Sequence, residues 1–179
     1  IAITTLVPAA SSSVIDTANV RGGNILTRWT HLFSPSSELT MQVYYDRTQR
    51  REVTIDIDRN TIDFDLHHNF SIGSRHDMQW GFGYRYSQDV IGNTFTIALD
   101  PQRFALQIFN GFIQDTFTLI PEKLRIIAGT KISSNSYSGV EYQPNGRVIW
   151  SPHSQHTLWG AVSRAVRLPS RIEREGRAN

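Results

Sequence analysis

Between Thr61 and Tyr86 the chain alternates apolar and polar residues with a period of two, and this run limits the possible fold more than any other feature. Even positions carry Ile62, Phe64, Leu66, His68, Phe70 and Ile72, while odd positions carry Thr61, Asp63, Asp65, His67, Asn69 and Ser71. After Gly73-Ser74-Arg75-His76-Asp77 the alternation resumes, with Met78, Trp80, Phe82, Tyr84 and Tyr86 set against Gln79, Gly81, Gly83, Arg85 and Ser87. Successive side chains of a strand point to opposite faces, so the spacing predicts two half-apolar strands joined as a hairpin. Pairing them around that turn sets Ile72 opposite Met78, Phe70 opposite Trp80, Leu66 opposite Tyr84 and, on the other face, Asp65 opposite Arg85. One register thus gives both faces suitable partners.

The theme recurs along the chain. Residues 24–33 and 38–47 flank Ser34-Pro35-Ser36-Ser37, with Ile25, Trp29 and Phe33 facing Leu39, Met41, Val43 and Tyr45. A third hairpin joins 104–119 to 124–132, its apolar face running through Phe109, Ile113, Phe117 and Leu119 with Leu124, Ile126, Ala128 and Ile132, and with Asp115 breaking it. A last hairpin joins 140–150 to 157–166 and is expected to bring Val148 and Trp150 onto the face of Trp159. The sum is an all-β, antiparallel up-and-down meander of about eight strands. Short turns at 34–37, 73–77, 120–123 and 151–156 alternate with longer polar links expected at 47–60, 88–103 and 133–139. Short turns at one rim, longer loops at the other, and Trp29, Trp80, Trp150 and Trp159 near the short-turn ends predict part of a transmembrane β-barrel with an aromatic girdle.

Composition narrows the functional classes. The 39% hydrophobic content is enough for an extensive buried or lipid-facing surface. A formal charge of +2 provides no argument for nucleic acid. Zero cysteines exclude thiol nucleophiles, disulfides and cysteine metal sites in these residues. No apolar run is long enough for a spanning helix. The chain starts at Ile1 without a secretory leader and stops in a charged stretch, which suggests an excerpt of a longer protein.

Four short motifs then carry a resemblance. Phe112-Ile113-Gln114-Asp115, the strand Leu124-Arg125-Ile126-Ile127-Ala128-Gly129-Thr130-Lys131, Gln143-Pro144-Asn145-Gly146-Arg147, and Ser163-Arg164-Ala165-Val166-Arg167-Leu168-Pro169-Ser170 follow one another in order. Together they resemble the barrel of TonB-dependent outer-membrane receptors. The resemblance is specific from about residue 105 onward and looser from Gly22 to Arg85. It implies a wide barrel of about 22 strands filled by an N-terminal plug, of which this chain is a middle portion. In that frame 1–22 is an external loop or extension, 23–166 are strands and 167–179 start an external loop. The resemblance also implies a bacterial outer-membrane location and energised uptake of a scarce ligand such as a ferric siderophore or cobalamin. Its implied partners are TonB (through the missing N-terminal part), the plug, lipid and lipopolysaccharide, and a small ligand such as a metal chelate. It calls for no cofactor.

Candidate contact residues follow from the faces. Asp63, Asp65 and His67 share one strand face with Arg85, on what would be the lumen side, where polar side chains can meet a ligand; the plainer reading is cross-strand pairing, Asp65 with Arg85. Arg167, Arg171 and Arg174 stand in the external segment and could meet an anionic ligand or lipopolysaccharide, against the plainer reading of a solvated loop. His67 and His68 point to opposite faces and cannot share a metal, while His153 and His156 in a turn lack an evident third ligand. No G-x-S-x-G elbow occurs, and an enzyme is not expected. Two other classes compete with the receptor: a passive structural or adhesive outer-membrane barrel, and a soluble ligand-binding β domain.

Overall fold

The computed structural model describes residues 2–6, 9–13, 15–94 and 98–177. A short hairpin of β1 (Ala2–Leu6) and β2 (Ala9–Ser13) precedes the main sheet. That sheet contains β3 (Asn19–Ser34), β4 (Ser37–Glu52), β5 (Ile55–Ile72), β6 (His76–Gly92), β8 (Arg103–Ile120), β9 (Leu124–Asn135), β10 (Gly139–His153) and β11 (His156–Ser163). The two-residue strand β7 (Ala98–Leu99) lies outside it, in the link between β6 and β8. The chain ends in helix α1 (Arg171–Glu175) and β12 (Gly176–Arg177), which pairs with β7. All eight strands of the main sheet pair antiparallel with their neighbours in chain order, as a meander requires. The sheet is open, and β3 and β11 form its edges.

The sheet's two faces have opposite chemistry. One carries Ile62, Phe64, Leu66, Phe70 and Ile72 of β5 beside Val43, Met41, Phe82, Met78, Ile113 and Phe117 of its neighbours. On β5 this apolar band runs for 11 residues, from Ile62 to Ile72, the length that crosses a bilayer as a tilted strand. Above it the same face turns polar, at Arg47, Asn60 and Gln88. Only Ile91 and Leu99 are buried apolar residues among those described, while Ile25, Trp29, Ile62, Phe82, Phe109 and Ile113 are exposed. A soluble domain of this size gains its stability by enclosing its apolar side chains. Here they line an outer surface.

The hairpin of β5 and β6 differs from expectation in register. Its turn is the three residues Gly73–Arg75, closed by Gly73 at φ 61°, rather than five, so Phe70 faces Met78, Leu66 faces Phe82 and Asp63 faces Arg85. Asp65 lies opposite Gly83, which overturns the expected Asp65–Arg85 pair. The shift is two residues, so each side chain keeps its face.

The expected loop at 47–60 is also corrected. Both strands run through it, to Glu52 and from Ile55, around the two-residue turn Val53-Thr54. Its charged residues pair across the strands, Arg47 with Asp58 at 3.4 Å and Arg51 with Asp56 at 3.6 Å. The link at 133–139 likewise reduces to the turn Ser136–Ser138, whereas the link after β6 remains long.

Trp29, Trp80 and Trp150 lie on the apolar face toward the short-turn rim, two of them in ring contacts with histidines: Trp29 stacks on His31 at 5.5 Å, and Trp80 meets His68 at 5.8 Å. Tyr45, Tyr86 and Tyr142 occupy the other end of the band, where Tyr45 Oη donates to Asn60 Oδ1 at 2.9 Å. Trp159 is a correction. A register shift after Trp150 sets Trp159 opposite Ile149 and puts it on the polar face, beneath the Arg147 guanidinium at 5.9 Å, while Trp150 pairs with Leu158 on the apolar one. Asp115, out of place on the apolar face, meets His76 Nδ1 at 2.6 Å near the short-turn rim, where a polar group costs less than at mid-membrane.

Candidate functional site

Three cross-strand pairs of β5 and β6 build the centre of the polar face. Arg59 faces Asp89, Thr61 faces Ser87 and Asp63 faces Arg85. The order of charge is reversed between the two ends, so each arginine reaches the acid directly across from it. Arg59 Nη2 lies 3.0 Å from Asp89 Oδ2, and Arg85 Nε lies 2.5 Å from Asp63 Oδ2. Between them the hydroxyls of Thr61 and Ser87 stand 3.0 Å apart. Asp63 and Asp89 are buried, at 8% and 7% exposure, so each ion pair compensates a carboxylate withdrawn from water.

The two other expected lumen residues belong to a separate recess. Asp65 and His67 line a cavity of about 240 Å³ with Arg28, Thr40, Gln42, Asn110 and Phe112. Gly81 and Gly83 stand opposite His67 and Asp65 on the next strand. A Cβ at Gly81 would lie 2.4 Å from the Phe112 ring and 2.9 Å from the Leu66 carbonyl, and one at Gly83 would lie 2.6 Å from the Asn110 amide. The glycines let the neighbouring strand's side chains lie across the sheet. Asp65 forms no ion pair among the described residues, and Arg28 is held by Gln42 Oε1 at 3.0 and 2.6 Å. Asp63 and Arg85 are therefore brought together, with Asp65 and His67 two and four residues further along the same face.

The C-terminal arginines do not behave as one group. Ser170 and Glu173 form a reciprocal N-terminal cap of α1: the Ser170 amide donates to Glu173 Oε2 at 2.7 Å, and the Glu173 amide donates to Ser170 Oγ at 3.3 Å. Those Ser170 bonds, with the Arg167 guanidinium beside it, hold the Glu173 carboxyl down at about 2. Arg167 is otherwise exposed. Arg171 is buried, at 8% exposure, and its guanidinium is fully engaged by Asp89, by the Pro101 carbonyl and by Glu175 Oε2 at 2.9 Å, with the Phe104 ring 5.5 Å away. Arg174 donates to the Tyr137 carbonyl at 2.7 Å and sits 4.8 Å over its ring. Burial, then the Glu175 carboxylate, raise the Tyr137 phenol above its ordinary value. Segment 167–177 is thus a strap bound across the polar face, a feature that no local spacing in the sequence signals.

The comparisons with known proteins fit this division of faces. Residues 10–177 match the family described as TonB dependent receptor-like, beta-barrel. The chain belongs to that family. The TonB-dependent receptor barrels are bacterial outer-membrane structures, so the apolar face is the lipid side and the polar face the lumen side. Among solved structures, the siderophore receptor PirA from Pseudomonas aeruginosa is similar in fold, with a TM-score of 0.70 over 86% of this chain at 12% identity. The chain spans 29% of the length of that receptor. No curated protein matches the sequence.

Proposed function

We propose that this chain is a sector of the wall of an energised outer-membrane receptor, which binds a scarce small ligand outside the cell and admits it through the barrel when TonB acts on a plug. The observation that carries this reading is the family match over residues 10–177 on a sheet with a lipid face and a charged, hydrogen-bonded lumen face. A ferric siderophore is the favoured ligand class, supported by the fold shared with a siderophore receptor; cobalamin is the alternative. Asp63, Asp65, His67 and Arg85 supply polar contacts from the wall, to plug or ligand, and the strap with Arg167 and Arg174 is the nearest segment to ligand at the long-link rim. TonB and the plug act through parts of the protein outside these residues. Lipid and lipopolysaccharide meet the apolar face.

The test is uptake by the full-length protein in outer membranes. Cells producing it, with and without TonB, are offered radiolabelled iron-siderophore complexes and cobalamin. Accumulation that requires both the receptor and TonB is the expected result. Equal accumulation without TonB would favour a passive barrel, and recovery of the protein in the soluble fraction would remove the membrane reading.

A further inference from the structure

Beneath the strap lies a second recess of about 370 Å³ on the lumen face, larger than the one around His67. Its size falls in the range of small-molecule sites. One wall is polar, made of Arg59, Thr61, Arg85 and Ser87. The adjoining side is apolar, made of Phe104, Leu106 and Ile108 of β8, which the pairing of β6 with β8 sets beside Asp89, Ser87 and Arg85 on this face. Phe104 and Tyr137 stack in parallel, 5.2 Å apart and tilted by 1°, and close one end.

The guanidinium groups differ in what they have left to give. Arg171 contacts Asp89, Pro101 and Glu175 and is buried, so it anchors the roof and has no face for a ligand. Arg59 and Arg85 each spend one nitrogen on a carboxylate, make no other hydrogen bond among the described residues, and have side chains 44% and 54% exposed. An arginine has five donors. Both planar forks therefore keep free N–H groups at one recess, four residues apart along adjacent strands, and Arg59 stands in one row with Asp89 and the Phe104 ring. Asp89 and Asp63 are already committed to these cations, so the remaining demand of the recess is for acceptor oxygens.

We infer that this recess binds a small anion carrying a ring or hydrocarbon body, its carboxylate or similar oxyanion held by Arg59 and its body against Phe104, Leu106 and Ile108 beneath the strap. The inference rests on the receptor reading only for the ligand's access to this face, and binding is read without transport. Salicylate serves as the probe and salicylamide as its neutral counterpart, each titrated into the detergent-purified full-length receptor and followed by saturation-transfer NMR. Salicylate is expected to bind about tenfold more tightly than salicylamide. Arg59→Gln should weaken salicylate about tenfold while leaving the barrel folded, because Asp89 keeps Arg171 as a partner, and Arg59→Lys should fall between the two. Arg147→Gln, on the same face beside Trp159, should bind as the parent does. Equal binding of salicylate and salicylamide, unchanged binding by a folded Arg59→Gln receptor, or no salicylate binding by the folded parent would overturn the inference. Salicylate binding that depends on Arg59 in a receptor without TonB-dependent uptake would uphold this site while removing the transport reading.

Discussion

Arg85 reaches Asp63 from a side chain that is itself half in solvent, whereas Asp63 is buried, so the pair is asymmetric in what its loss would cost. Arg85→Gln leaves a buried carboxylate without its cation and should destabilise the barrel by about 1–2 kcal/mol, after allowance for the exposure of the arginine; Arg85→Lys should recover part of this in urea unfolding of the full-length protein. Gly81 tests the crowding on the same face. Gly81→Val must displace the Phe112 ring and meets the immovable Leu66 carbonyl, so a loss of about 1–3 kcal/mol is expected in the same measurement. Glu122 holds φ 60° in the turn between β8 and β9, a conformation that glycine adopts without a Cβ clash, so Glu122→Gly should stabilise that hairpin by about 1 kcal/mol. At this scale the sequence reveals which face Asp63, Asp65, His67 and Arg85 occupy. It does not reveal which acid Arg85 holds, because opposite-charge partners at Asp63 and Asp65 are both two-residue steps along one face.

The elements were legible to the degree that their apolar period was intact. β5 and β6 stand out in the sequence, yet their register is displaced by two residues, since a shift of two preserves every face and only the turn length distinguishes the alternatives. Trp159 changes face because the shift after Trp150 alters parity, and no residue pattern there marks it. The extension of β4 and β5 through residues 47–60 reads as a loop because its residues are charged, although Arg47, Arg51, Asp56 and Asp58 pair across the strands. The apolar band makes its own prediction. Phe82→Arg, near the middle of the band, should cost about 2–4 kcal/mol in folding into lipid, whereas Gln114→Arg on the lumen face should cost less than about 1 kcal/mol, as measured by denaturant titration in vesicles. α1 responds to acid. The Glu173 carboxyl is held at about 2 against an ordinary 4.5, so its contribution to the cap is complete above pH 4.5 and fades as the pH falls toward about 2. Amide exchange at residues 170–175 should accelerate across that window, and Glu173→Gln should remove the pH dependence.

The whole sheet is held together by neighbour-to-neighbour pairing and by little else: among its described residues Ile91 is the one buried apolar side chain. An open meander with apolar residues outward and paired charges inward is stable only where lipid covers one face and where further strands cover the edges at β3 and β11. That requirement could be anticipated from the alternation and the turn spacing. The strap could not, because Arg171 meets Asp89 across 82 residues of sequence and nothing local to either residue announces the other. The account stands on the assignment of the two faces. Nitroxide labels placed singly at Ile62, Phe64 and Leu66 and at Thr61, Asp65 and His67 of the full-length protein in outer-membrane vesicles read this directly. The even positions should collide with oxygen dissolved in lipid and the odd ones with a water-soluble nickel chelate; a uniform response along 61–67, or the reverse alternation, would contradict a transmembrane wall with this lumen face.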